Sequence, residues 1–175
     1  MLKFTDFDGL SIIVQDKAAL SLQQSYETRG GTTLRRALNG AAIKQNHWQR
    51  ESTNISSGGW LPPGIEALNY DKPISVHCIA PKTKHSPTNI SALAAGSYRT
   101  DTNFAPFCHA IMSDGSSVPT ASSITADTIT ATPIAGAVYY AVVYHPIKQY
   151  IFDPPQLSFD HAGGTSSWSM KGEEP

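Results

Sequence analysis

The run Ala137-Val138-Tyr139-Tyr140-Ala141-Val142-Val143-Tyr144 constrains the fold more than any other segment of the chain. Its eight residues are apolar or aromatic on both alternating faces, a pattern that suits a central strand covered on two sides. Similar runs recur, each bordered on at least one side by a glycine or proline turn. Residues 10–14 follow Asp8-Gly9, residues 20–26 precede Gly30-Gly31, and residues 74–80 are closed by Pro81. Residues 104–112 run up to Ser113-Asp114-Gly115, and 147–152 follow His145-Pro146. Residues 156–160 and 166–171 flank Gly163-Gly164. In the third run Ile74, Val76 and Cys78 share one face, and in the last Trp168 and Met170 do. Short β-branched and aromatic runs cut by turns predict an all-β, mainly antiparallel small barrel or sandwich. With 175 residues, one β-rich domain over 1–175 is expected, with excursions or a small subdomain at 82–103 and 116–135. A hairpin is expected around Ala126-Asp127-Thr128, and the polar stretch 82–93 reads as loop.

The clearest local signal lies at Asn39-Gly40, between residues 32–38 and a long second arm that starts at Ala41. Asn-Gly can occupy the two left-handed positions of a tight turn, so the flanking arms should pair as a hairpin. Helical spacing of Leu34, Leu38 and Ala41 competes, but Asn39-Gly40 would sit badly inside a helix. The arms are long and poor in apolar residues, which points to a hairpin that projects or lies across a neighbouring subunit. Arg35, Arg36, Asn39, Gly40, Lys44, Gln45, Asn46, His47 and Gln49 are its candidate contact residues. The alternative is a solvated hairpin whose Leu34, Leu38, Ile43 and Trp48 cover one side of the core. Ser56-Ser57-Gly58-Gly59 is expected to break the second arm. In the Trp60-Leu61-Pro62-Pro63-Gly64 turn beyond it, Trp60, Leu61, Ile65 and Leu68 should anchor the chain to the sheet. Were Trp60 exposed instead, it would join the interface candidates.

Thirteen Lys and Arg against fourteen Asp and Glu give a net charge of -1, with no whole-molecule field toward nucleic acid or an anionic membrane. Charged residues are only 15 % of the chain, so its surface of hydroxyls and amides loses little when desolvated against a partner. No run approaches a membrane span, and the segment starting at Met1 lacks the apolar stretch of a secretion signal, so synthesis in the cytoplasm is expected.

Chemistry finds little footing. The six histidines include no His-x-x-x-His pair, and no Gly-x-Ser-x-Gly elbow occurs. His77-Cys78 and Cys108-His109 are tempting as metal ligands, but neighbours on a strand face opposite ways. Cys78 and Cys108 therefore read as buried free thiols, with one disulfide or a metal role as alternatives. No catalytic residue, metal or cofactor is assigned, and the chain is expected not to be an enzyme.

Three segments resemble a family of uncharacterised tailed-bacteriophage virion proteins encoded among tail genes. They are Leu34-Arg35-Arg36-Ala37-Leu38-Asn39-Gly40 leading to Trp48; Thr53-Asn54-Ile55-Ser56-Ser57-Gly58-Gly59-Trp60-Leu61-Pro62-Pro63-Gly64-Ile65; and Trp168-Ser169-Met170-Lys171-Gly172-Glu173-Glu174. The resemblance implies a minor structural protein of the tail or tail tip, such as a distal-tail or baseplate component. Its partners would be other virion proteins, in a homo-oligomeric ring, with no nucleic acid and no membrane span. A carbohydrate- or receptor-binding β module, with a glycan as ligand, is the alternative function, and a head–tail or decoration protein is another.

Overall fold

The computed structural model describes residues 1–175, apart from the side chain of Asp16. The fold is all-β and antiparallel, with two short 3-10 turns at Asp16–Ala18 and Ile65–Ala67. Fifteen strands follow one another. They begin with β1 (Lys3–Thr5), β2 (Ser11–Ile13), β3 (Gln23–Arg36), β4 (Ala42–Gly59) and β5 (Ile74–His77). Next come β6 (Lys82–Ser86), β7 (Ile90–Ala92), β8 (Phe107–Met112), β9 (Ser117–Thr120), β10 (Ser122–Thr125) and β11 (Thr128–Ala131). The last are β12 (Ala137–Tyr144), β13 (Ile147–Phe152), β14 (Gln156–Asp160) and β15 (Thr165–Glu173).

The chain forms two compact units. Unit 1 takes residues 3–75 and 149–175, and unit 2 takes 76–148, an insertion entered through β5 and left through β13. The largest sheet has the order β2-β1-β5-β13-β15-β4-β3, with β14 also paired to β15. Unit 1 buries Phe4, Ile55, Ile65, Ile74, Tyr150, Phe152, Trp168 and Met170. Phe152 meets Phe4 and Tyr150 edge to face, with ring centroids 6.0 and 5.9 Å apart. Gly172 makes room for this cluster, since a Cβ there would lie 2.7 Å from the Phe152 ring.

Unit 2 holds a four-stranded sheet, β6-β12-β8-β9, and a three-stranded sheet, β10-β11-β7. Cys108, Ala110, Ile129, Ala131, Tyr140 and Val142 form its core. The expected central strand is β12, flanked by β6 and β8. The stretch 82–93, expected as loop, carries β6 and β7. Backbone pairing to Tyr140–Tyr144 draws the polar Lys82–Ser86 into the sheet edge, where charged side chains discourage further strand addition. Cys78 and Cys108 are buried free thiols, and burial pushes the Cys108 thiol up, so it stays protonated and inert.

The expected hairpin at Ala126-Asp127 is present. Both residues have positive φ, 46° and 63°, between the paired Thr125 and Thr128. This is the two-residue turn that matches strand twist, built here without glycine or asparagine. The Asp127 carboxylate accepts a 2.9 Å hydrogen bond from the Tyr98 hydroxyl, which holds the turn in place. Ala126→Asn should relieve the left-handed alanine and stabilise unit 2 by about 0.5–1 kcal/mol, read as a shift of the urea midpoint with unchanged slope.

The sheet around β3 and β4 departs from expectation in three places. β3 begins at Gln23 rather than near Leu20 and runs straight through Gly30-Gly31 to Arg36. β4 is not broken at Ser56-Ser57-Gly58-Gly59 but continues to Gly59, because these small residues pair with Ser166–Ser169 of β15. Gly40 alone has positive φ (80°) in the hairpin turn, and its N–H donates to the Ala37 carbonyl (2.8 Å). The loop is therefore the three residues 38–40 with one left-handed glycine, instead of a two-residue Asn-Gly turn.

Candidate interaction surface

β3 and β4 pair over fourteen registered positions, from Gln23↔Ser56 to Arg36↔Ala42. Their inner half belongs to the body of unit 1. There Ser52, Thr53 and Ile55 are fully buried, and β15 pairs with β4 from Gly59 back to Ser52. Beyond that point β15 ends. Glu51 still bonds to the body, its N–H donating to the Glu174 carboxylate and its own carboxylate accepting from the Tyr150 hydroxyl. From Arg50 outward β4 pairs with β3 alone, and every β4 residue from Ala42 to Arg50 is exposed. The arm extends roughly 27 Å at about 3.4 Å per residue.

Local packing explains how so thin a ribbon holds its shape. Trp48 lies over Gly31 on the paired strand. A Cβ at Gly31 would fall 2.6 Å from the Trp48 Nε1, and one at Gly30 would fall 2.8 Å from the Trp48 carbonyl oxygen. Gly30-Gly31 therefore admits the indole and lets the strand pass beneath it, which is why the pair does not end β3. The register shifts between Gly31↔Trp48 and Thr32↔Asn46, leaving His47 as the extra residue of a bulge. Opposed residues share a face, so Leu34 sits beside Lys44 on one side and Ile43 beside Arg35 on the other. Each face of the outer arm thus carries a cation next to an aliphatic side chain, and neither is a core face.

The structure brings Arg35, Arg36, Asn39, Gly40, Lys44, Gln45, Asn46, His47 and Gln49 together on this arm, all of them exposed. Within the tip, an Arg36 guanidinium N–H donates to the Gly40 carbonyl (3.2 Å) and the Ala41 N–H donates to Asn39 Oδ1 (3.1 Å). Leu34, Leu38, Ile43 and Trp48 are exposed with them instead of covering a core, Trp48 by 55 % and Leu38 completely. These four apolar residues, with Arg29 and Arg50, extend the surface beyond the polar set. One sequence signal marks it: residues 28–50 contain five Arg and Lys and no Asp or Glu. At the foot, Arg29 pairs with Glu173 at 2.8 Å.

Trp60 stands apart, just past the opposite end of β4. Its N–H donates to the Lys17 carbonyl (2.8 Å), while the residue is 59 % exposed. Of the expected anchors, Ile65 and Leu68 are buried, but Trp60 and Leu61 are not. Gly64, left-handed at φ 72°, turns the chain so that the 3-10 turn, not the tryptophan, meets the core. A variant retaining only Trp60 should be quenched freely by acrylamide, and one retaining only Trp168 should be protected. Trp60→Ala should then change stability by less than about 1 kcal/mol.

Unit 1 has an open trough of about 560 Å³ edged by Ser21, Gln23, Ser56, Gln156, Ser158 and Ser167. Trp168 borders it, but the ring is buried and its Nε1–H donates to the Ala18 carbonyl, so it offers no free face for stacking on a sugar. In unit 2, Cys108 points into the core and His109 Nδ1 lies 2.8 Å from Ser117 Oγ. Among the described residues no group of three or more His, Cys, Asp or Glu is placed to hold a metal ion. No helix is long and apolar enough to cross a membrane. No family model matches the chain, and no curated protein matches its sequence.

Proposed function

We propose that this chain is a non-enzymatic structural subunit of a bacteriophage virion, in the tail or tail tip, that works by packing its arm against other chains. One observation carries the packing role: the outer β3–β4 ribbon exposes apolar residues on both faces and has no core of its own. A two-stranded ribbon is marginal alone, and Leu34, Leu38, Ile43 and Trp48 gain only where a partner removes them from water. In a repeated assembly a modest contact at each arm suffices, because every subunit is held at several points. The virion assignment is supported by the resemblance of three segments to tail-gene proteins. Those segments are neighbours in this fold: the first spans the arm, the second follows β4 into its turn, and the third lies in β15, with Trp168 opposite Ser57 and Met170 opposite Ile55.

Cryo-EM of purified particles tests the assignment. The expected result is density for this chain in the tail with residues 28–50 against another chain. An arm wholly in solvent would remove the packing role, and absence of the protein from particles would remove the virion role.

A further inference from the structure

The arm's charge identifies a partner. Residues 28–50 carry five cations and no carboxylate, whereas the rest of unit 1 carries eleven carboxylates against four lysines, a net -7. Some of that excess lies at the arm's foot, in a groove of about 460 Å³ lined by Arg29, Ile151, Asp153, Lys171, Glu173 and Glu174. Ile151 is half exposed on its wall. The groove therefore offers the combination that the outer arm lacks, carboxylates beside an exposed aliphatic. At the arm's base Arg29 already pairs with Glu173, but the outer cations cannot reach their own foot. Arg36 is seven residues along the ribbon from Arg29, roughly 24 Å, well beyond the screening length of about 8 Å at physiological salt.

We infer that the outer arm of one copy, with Arg35, Arg36, Lys44 and Leu38, seats on the foot groove of a second copy of this chain. The inference rests on the arm being an inter-subunit element, as proposed above, and adds the identity of its partner. Two arms lying side by side would set like charges against each other, so the contact joins arm to foot. Such a contact is heterologous, one patch against a different patch, and closes into a ring when its rotation allows. A nucleic-acid duplex is the less suitable occupant. Arg29 is already paired with Glu173, and phosphates drawn to the arm would approach a body of their own sign.

Sedimentation of the purified full chain at low ionic strength is the test. Wild type should self-associate with concentration, less so as salt is raised. Arg35→Glu, Arg36→Glu and Lys44→Glu together should weaken association by about a hundredfold or more, and Asp153→Lys with Glu173→Lys should do likewise. An equimolar mixture of these two variants should associate again, since each reversed arm then meets a reversed foot. A wild-type chain that stays monomeric at high concentration, reversals without effect, or a mixture that restores nothing overturns the inference. Binding of duplex DNA through the arm in place of self-association overturns it as well. Particles in which the arm packs on a different virion protein would remove the second copy as partner while leaving the structural-subunit role intact. Absence of the chain from particles removes that role whatever the sedimentation shows.

Discussion

Gly59→Ala is expected to destabilise unit 1 by about 4 kcal/mol or more and to lower its melting temperature by about 16 °C or more. A Cβ at this position would lie 2.0 Å from the Lys17 carbonyl oxygen and 2.8 Å from the Ala18 Cα, so the clash is with backbone. That backbone has little freedom to retreat. The Lys17 carbonyl accepts the Trp60 N–H at 2.8 Å, and the Ala18 carbonyl accepts both Ser57 Oγ–H at 3.1 Å and Trp168 Nε1–H at 3.2 Å. Moving it aside would break these bonds or open the sheet at the β4–β15 pairing. Gly58→Ala is the control. Its nearest neighbours would be Ser166 O at 3.3 Å and Ser21 Oγ at 3.4 Å, so it should stay within about 1 kcal/mol of wild type. Tryptophan fluorescence reads both variants, because Trp48, Trp60 and Trp168 all belong to unit 1.

Arg99→Ala should destabilise unit 2 by about 3 kcal/mol. Only 4 % exposed, the guanidinium donates to the Cys78 carbonyl at 3.2 Å and the His77 carbonyl at 3.4 Å, pairs with Asp101 through Nε at 2.9 Å, and stacks on Phe104 at 3.6 Å. Alanine removes the guanidinium donations to the Cys78 and His77 carbonyls and the plane packed on the Phe104 ring; the exposed Asp101 can turn to water, which limits the loss. The same pair gives unit 2 an acid dependence. Hydrogen bonding from Arg99 holds the Asp101 carboxyl below its ordinary value. A depressed carboxylate contributes stability that is fully present above the unfolded-state value, about 3.9, and is lost as pH falls through the lower folded value. Hydrogen exchange of the β12 amides in buffers taken below about pH 4 should show wild type losing protection as the pH is lowered, and Arg99→Ala losing less over the same interval.

Much of this fold is legible from residue pattern because β structure repeats at two residues and burial follows that repeat. Ile74, Val76 and Cys78 alternate inward as their spacing implies, and the doubly apolar 137–144 run becomes the central β12. What escapes the pattern is pairing between distant segments. Lys82–Ser86 has no apolar rhythm and becomes a strand because Tyr140–Tyr144 supplies its hydrogen bonds. Gly30-Gly31 and Gly58-Gly59 look like stops, yet both are strand residues chosen for what crosses them: the Trp48 indole in one case and the Lys17–Ala18 backbone in the other.

The candidate surface was half visible for a related reason. A polar hairpin at Asn39-Gly40 announces itself locally, and its position along the chain is as expected. Whether Leu34, Ile43 and Trp48 face a core depends on where β15 stops pairing with β4, and the one local trace of this limit is the change from the carboxylate-free stretch 28–50 to Glu51. The anchor role of Trp60 fails in the same way, while its exposure places it with the interface candidates. Its apolar neighbours suggested an anchor, but the left-handed Gly64 commits Ile65 and Leu68 to the interior and leaves the indole outside.

The insertion of unit 2 between β5 and β13 also sets a schedule for synthesis. A ribosome finishes residues 76–148 while β15 is still unmade, so the second unit can fold before the first is whole. Meanwhile the β3–β4 hairpin is already in the nascent chain, with the Ser52–Gly59 edge still waiting for Ser166–Glu173. Every polysome translating this protein would therefore carry ribbons with an open edge, close to others like them. The cations of the outer arm, repelling their counterparts on adjacent nascent chains, would keep those edges apart until each body closes.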